Sequence, residues 1–136
     1  MIIFKNFWPA IAWALIVLVL TGLPGNYFPE VPSFWNLLEP DKIVHVFIFG
    51  VFTVLMALGL TRSYRILRSA FAIAAQAIGT GIAYGGITEL LQGYVFIGRT
   101  ASIYDFIANS IGCFAGYLGF KLVLLKYLEK GKKHST

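Results

Sequence analysis

The residues best suited to chemistry lie in one stretch, Gly86 to Asn109, between two strongly apolar runs. The stretch reads GITELLQGYVFIGRTASIYDFIAN and contains Glu89, Asp105 and Asn109. These three polar side chains fall where the flanking pattern predicts membrane-spanning helix. Ionisable groups near the hydrocarbon are energetically costly, so they indicate a functional site.

A second polar stretch, Asp41-Lys42-Ile43-Val44-His45, opens another apolar run. Asp41 and His45 are four residues apart, as are Asp105 and Asn109, so each pair shares a helix face. The spacing of three residues in the pairs Lys42–His45 and Glu89–Gln92 has the same effect. We therefore expect the two stretches to form one polar cluster at one face of a small membrane protein.

This cluster has the groups needed to bind an anion. Two helix N-termini, Lys42 and Arg99 make an electropositive pocket suited to a phosphate or carboxylate. Acidic and imidazole groups beside it could move protons. The candidate catalytic residues are His45, Glu89 and Asp105, and the candidate ligand-binding residues are Asp41, Lys42, Gln92, Arg99, Ser102 and Asn109. The sequence has no set of cysteines and histidines spaced to bind a metal, no nucleophile elbow and no glycine-rich loop that binds phosphate. We therefore expect no metal ligand and no cofactor.

Several of these residues also have purely structural interpretations. Asp41 and Asp105 near helix N-termini complement the helix dipole, and Ser102-x-x-Asp105 matches a capping box. Lys42 and Arg99 are interpretable as interfacial side chains or as partners of the two aspartates.

Glu89 is harder to explain structurally. A carboxylate near a helix C-terminus meets an unfavourable dipole, so in apolar surroundings it must be paired or protonated. We expect His45 as its partner, with Arg99 as the competing one.

The composition identifies the class of protein. The chain is 58% hydrophobic and 12% charged, with a mean hydropathy of +0.77, whereas a soluble domain is about 25% charged. This indicates an integral membrane protein. The net charge of +5 does not indicate nucleic-acid binding, because the basic residues lie at the ends of apolar runs. Cys113, the single cysteine, lies within an apolar run and is expected to pack among helices.

The chain is predicted to be all-α, a single domain over 1–136 with four transmembrane helices in an up-down bundle. The predicted spans are about 7–23, 43–60, 69–91 and 102–125, followed by a basic tail, 126–136. Four prolines in 24–41 exclude continuous helix there. Its apolar residues predict an interfacial segment, with a short helix near Ser33 to Leu38.

The distribution of basic residues predicts the orientation. Nine lysines and arginines fall on the side of the two termini and the 61–68 loop, and only Lys42 and Arg99 fall on the other side. By the positive-inside rule both termini are cytoplasmic, and the polar cluster faces outward.

The glycines predict close helix packing. Gly81-x-x-x-Gly85 and Gly112-x-x-x-Gly116 place small residues on one face of the third and fourth spans. We expect these two spans to touch. Asn109 shares a stripe with Gly112 and Gly116, so it should face a neighbouring helix rather than lipid.

The polar motifs resemble those of the bacterial VanZ-like family over about residues 38–120. The matching motifs are Asp41-Lys42-x-x-His45, Glu89-x-x-Gln92 and Arg99-x-x-Ser102-x-x-Asp105-x-x-x-Asn109-x-x-Gly112. The resemblance implies a small multi-pass protein of the bacterial cytoplasmic membrane. The founding member is associated with resistance to the glycopeptide teicoplanin. No mechanism comes with the resemblance.

Three functions are compatible with these observations. The leading hypothesis is an outward-facing protein that binds or modifies an anionic membrane lipid or a lipid-linked cell-envelope precursor. Whether it is an enzyme is left open. The alternative is a non-enzymatic accessory protein that packs against another membrane complex or a second copy. The third is a minimal ion or proton path. It is the weakest of the three hypotheses, because four short spans form only a thin conduit.

Overall fold

The computed structural model describes residues 2–23, 40–63 and 69–133, and their side chains over 5–23, 41–63 and 69–126. The described residues form helices and no strand, which confirms the all-α prediction. The helices are α1 (Ile2–Gly22), α2 (Pro40–Ser63), α3 (Ala70–Tyr94) and α4 (Ile103–Lys133). The predicted interfacial helix near Ser33 to Leu38 and most of the basic 61–68 loop lie outside the described residues.

Each helix contains a segment that is long and apolar enough to cross a membrane. These segments are Lys5–Gly22, Asp41–Ser63, Ala70–Tyr94 and Ile103–Lys126. At about 1.5 Å per residue, the shortest covers about 27 Å, close to the roughly 30 Å of bilayer hydrocarbon. Many large apolar side chains point away from the bundle, among them Leu15, Val19, Leu118 and Val123. The chain is therefore a multi-pass membrane protein.

Local sequence signals account for the helix ends. α2 begins at Pro40, because a proline at the first helical position lacks only an N–H that would have no helical partner. Ser69 caps α3 by accepting a hydrogen bond from the Ala72 N–H at 3.2 Å. α4 continues to Lys133, so residues 126–133 of the predicted tail are helical.

The contacts between helices establish an up-down-up-down arrangement. α2 and α4 run parallel, because His45 lies beside Asn109 and Gly50 lies beside Gly112 and Gly116 further along both helices. α3 runs antiparallel to α4. The contacts that establish this are Gly81 with Cys113, Gly85 with Asn109, and Gly93 with Ala101.

α2 is the central helix, packing against each of the other three and most extensively against α4. One cluster of buried residues, around Phe49 and Cys113, joins α1, α2 and α4 near mid-bundle. A second cluster, around Ala57, Ala77 and Phe120, lies toward the opposite end from the polar residues. The polar end and the apolar interior are thus separated along the bundle axis.

The two glycine motifs face different neighbours. Gly81 and Gly85 approach Cys113 and Asn109, which confirms that the third and fourth spans touch. Gly112 and Gly116, however, approach the backbone of α2. The small residues of α4 therefore serve the α2–α4 contact, which sequence periodicity could not assign to a particular neighbour.

Candidate functional site

A polar cluster lies at the end of the bundle where α2 and α4 begin and α3 ends. Its innermost members are His45, Glu89 and Asn109, which are 2%, 6% and 0% exposed. Each comes from a different helix. Burial at this level requires each polar atom to find a partner within the bundle.

Asn109 connects the other two residues. Its Nδ2 donates to Glu89 Oε1 at 3.4 Å, and its Oδ1 lies 2.8 Å from His45 Nδ1. Since an amide oxygen can only accept, His45 must carry a proton on Nδ1 and donate it to Asn109. The other ring nitrogen, Nε2, is left to contact other groups.

Glu89 also holds the start of α4. The Ser102 N–H donates to Glu89 Oε2 at 3.1 Å, while Ser102 Oγ accepts from the Asp105 N–H at 3.3 Å. In a complete capping box the acid three residues after the cap would accept the bond from the cap N–H. Here the α3 carboxylate takes that place, so only half of the predicted capping box forms within α4.

The Asp105 carboxylate is consequently turned to other groups. It comes together with Asp41 and His45, such that one oxygen of each carboxylate and one imidazole nitrogen lie within 4.8 Å of one another. Asp41 Oδ1 is 3.9 Å from His45 Nε2. The Asp41 side chain is 56% exposed, so this part of the cluster opens to the outside of the bundle.

Two apolar grooves flank the first turns of α4. The groove between α2 and α4 has a volume of about 320 Å³, and its lining includes Lys42, Val46, Tyr104 and Ile107. Lys42 Nζ lies 5.6 Å from the centroid of the Tyr104 ring, within cation–π range.

The second groove, between α3 and α4, has a volume of about 510 Å³. Glu89 and Ser102 lie in its wall beside the apolar Leu90 and Phe106. The polar cluster therefore lies between two largely apolar grooves.

Gln92 lies outside this network. Its Nε2 donates to the Thr21 carbonyl at 3.0 Å. That carbonyl belongs to the last turn of α1, where backbone oxygens have no helical partner. Gln92 is thus placed to anchor α1. Arg99 lies half-buried in the short segment between α3 and α4.

The structure therefore connects six of the nine predicted site residues and places Gln92 elsewhere. The connected set is Asp41, His45, Glu89, Ser102, Asp105 and Asn109. Lys42 lies beside it at the α2–α4 groove. The hydrogen-bond partners of Glu89 are Asn109 and Ser102, and the expected partner His45 makes its hydrogen bond to Asn109 instead.

Two contributors were not singled out from the sequence. Tyr104 precedes the predicted Asp105, and a tyrosine at a helix start near the interface is a signal that could have identified it. Thr21 contributes only a backbone carbonyl, which no side-chain pattern reveals.

Comparison with known proteins gives one match. The model of the VanZ/LLP1 family matches residues 2–125, nearly the whole chain. No curated protein and no solved structure matches the chain.

Proposed function

The chain belongs to the VanZ/LLP1 family, and from that premise we propose that it binds an anionic lipid or lipid-linked envelope precursor in the bacterial cytoplasmic membrane. The head group would bind at the polar cluster and the apolar chain in the α2–α4 groove. The observation that carries this proposal is the position of Lys42, a cation at the wall of an apolar groove in a membrane-spanning bundle.

The charges near the groove are separated in a way that favours an amphipathic ligand. The Asp41 and Asp105 carboxylates converge on His45, while Lys42 lines the groove and lies over Tyr104. An anionic head group at this end of the groove would be attracted to the Lys42 ammonium group. The groove wall beyond it is almost entirely apolar, as an acyl or prenyl chain requires.

His45 is the group best placed for proton transfer, should the ligand also be modified. Its Nδ1 is engaged by Asn109, so Nε2 is the atom that can take up a proton. Glu89 acts through Asn109 and is a positioning residue in this scheme. Replacing either His45 or Glu89 with alanine should then abolish any reaction while membrane insertion survives.

Native mass spectrometry of gently extracted full-length protein tests the binding proposal. Wild-type protein should retain phosphatidylglycerol in preference to phosphatidylcholine. Lys42→Gln should reduce that retention at least tenfold, and Arg99→Ala should reduce it in the same direction. Ile107→Trp, which fills the groove with an indole, should displace the chain without changing the charge.

Lys121→Gln is the matched control, because it removes the same charge from an exposed position toward the other end of α4. It should retain lipid as wild type does. Equal retention by the Lys42, Ile107 and Lys121 variants would rule out a lipid site at this groove. A copurifying protein unaffected by all three changes would favour the accessory role instead.

The family resemblance adds a role in teicoplanin resistance, which we propose only as a consequence of binding a lipid-linked precursor. Expression in a susceptible bacterium should raise the inhibitory concentration of teicoplanin, and Lys42→Gln should remove the increase. An unchanged inhibitory concentration would remove this role and leave lipid binding to be judged by mass spectrometry.

A further inference from the structure

The Nε2 atom of His45 has an unusual environment. The imidazole is 2% exposed, and Asn109 fixes the proton on Nδ1. Asp41 Oδ1 lies 3.9 Å from Nε2, beyond hydrogen-bonding distance. Nε2 therefore faces a carboxylate but makes no direct hydrogen bond with the described residues.

The carboxylates of two aspartates lie beside this imidazole. Oxygens of Asp41 and Asp105 lie within 4.8 Å of the imidazole nitrogen and of each other. Both aspartates lie in the first turn of a helix. Two carboxylate oxygens and one imidazole nitrogen thus converge, and these are atoms that bind a metal cation.

We propose that Asp41, His45 and Asp105 bind a divalent transition-metal ion, Zn²⁺ or Mn²⁺, between the first turns of α2 and α4. Imidazole nitrogen together with carboxylate oxygen suits these ions, whereas Ca²⁺ and Mg²⁺ prefer oxygen alone. A metal at about 2.0–2.2 Å from each atom holds neighbouring ligand atoms roughly 3–4 Å apart. The observed separations are 3.9 Å for one pair, at the upper end of this range, and at most 4.8 Å for the others.

The residues behind His45 match what metal-binding histidines require. A ligating imidazole usually donates its second N–H to a fixed acceptor, which orients the ring. Here Asn109 is that acceptor, and Glu89 in turn holds the Asn109 amide. The expectation of no metal rested on the lack of a Cys/His motif, and a site shared between residues 60 positions apart has no such motif.

Three protein ligands leave at least one coordination position open, as in metal sites that also bind water or substrate. While the ion is bound, Nε2 cannot also take up a proton, so metal binding replaces the proton-transfer role of His45. The exposed Asp41 side chain marks the side from which that position is reached. Lys42 Nζ lies 5.6 Å from the centroid of the Tyr104 ring, which also lines the α2–α4 groove.

Metal titration of purified, tag-free, full-length protein tests the site. After treatment with a chelator, wild-type protein should bind one equivalent of Zn²⁺ or Mn²⁺, with Ca²⁺ at least tenfold weaker. Zn²⁺ binding is measured by elemental analysis after gel filtration, and Mn²⁺ binding by loss of the free-ion resonance signal. Co²⁺ should give a visible ligand-field spectrum that Zn²⁺ abolishes.

Asp41→Asn and Asp105→Asn should each weaken binding at least tenfold. Asn109→Ala keeps all three ligands but removes the contact that orients His45, and it should weaken binding about 10–100-fold. Because Asp41 is largely exposed, Asp41→Asn tests the site without disturbing buried packing.

Two control variants complete the experiment. Glu129→Gln makes the same chemical change 24 residues along α4 from Asp105, about 36 Å away. His134→Ala removes the only other histidine. Both should bind as wild type does. The proposal would be overturned if wild-type protein bound no equivalent of Zn²⁺ or Mn²⁺ tightly. It would also be overturned if Asp41→Asn bound the metal as tightly as wild type.

Discussion

Asn109 is the residue on which the buried network depends, because its two ends contact groups on two other helices. Asn109→Ala would leave His45 Nδ1 and Glu89 Oε1 without these bonds. An unsatisfied buried polar group costs about 1–3 kcal/mol, and we expect the free energy of unfolding to fall by that amount. Chemical unfolding in mixed micelles measures it.

Ser110→Ala is a suitable comparison, since the Ser110 hydroxyl bonds only to the Phe106 carbonyl of its own helix. That change should be nearly neutral. If Asn109→Ala and Ser110→Ala unfold at the same denaturant concentration, the link between His45 and Glu89 contributes nothing to stability.

At the level of single residues, sequence reasoning located the polar groups but not their bonds. The high cost of burial explains why Glu89 and Asn109 could be recognised as exceptional. Their pairing depends on the rotation of α3 against α4, which periodicity leaves undetermined. For the same reason Gln92 was grouped with Glu89, although the two side chains bond to different helices.

Among the helices, the α2–α4 contact depends most strictly on side-chain size. A Cβ atom added at Gly112 would collide with the Val46 carbonyl, and one at Gly116 with the Gly50 carbonyl. Helix backbone cannot yield as a flexible side chain can. We expect Gly112→Ala to lower the free energy of unfolding by about 1–3 kcal/mol or more, measured in mixed micelles.

On the same helix, Gly119→Ala should raise the free energy of unfolding or leave it unchanged. Nothing lies within 4 Å of an added Cβ there, and alanine is favoured over glycine in helices by up to about 1 kcal/mol. Equal effects at Gly112 and Gly119 would contradict the close α2–α4 approach.

α1 is held to the bundle by side chains that reach backbone carbonyls. Tyr84 Oη donates to the Ala14 carbonyl at 2.6 Å, and Trp13 Nε1 donates to the Ile48 carbonyl at 2.8 Å. Tyr84→Phe should cost about 0.6 kcal/mol, the average for such bonds in membrane proteins. The comparison is Tyr94→Phe at an 85% exposed position, which should be neutral in the same unfolding assay.

For the molecule as a whole, the orientation predicted from the basic residues awaits a direct test. The buried Cys113 leaves the native chain without an accessible thiol among the described residues, so single cysteines can report sidedness. In intact cells a membrane-impermeant maleimide should label Thr100→Cys, and it should label Lys126→Cys only after permeabilisation. The reverse pattern would place the polar cluster on the cytoplasmic side.

The fold class was predictable because apolar run length and breaks at Pro, Gly and Arg define four spans almost independently of packing. Which helices pack against each other was not predictable. α2 and α4 pack most extensively because Gly50 of α2 and Gly112 and Gly116 of α4 allow backbone contact. This match is visible only when both helix surfaces are known.

The Ser102 N–H of α4 is bonded by Glu89 of α3 instead of by an acid of its own helix. This has a consequence for how the protein is assembled in the membrane. The bonds of Glu89 to Ser102 and Asn109 span 13 and 20 residues, whereas the bond from His45 to Asn109 spans 64. The last two helices can therefore satisfy the hydrogen bonds of their own buried acid if they insert together as a hairpin. The imidazole, inserted earlier, obtains its partner only when that hairpin docks, so the site is completed by the final step of assembly.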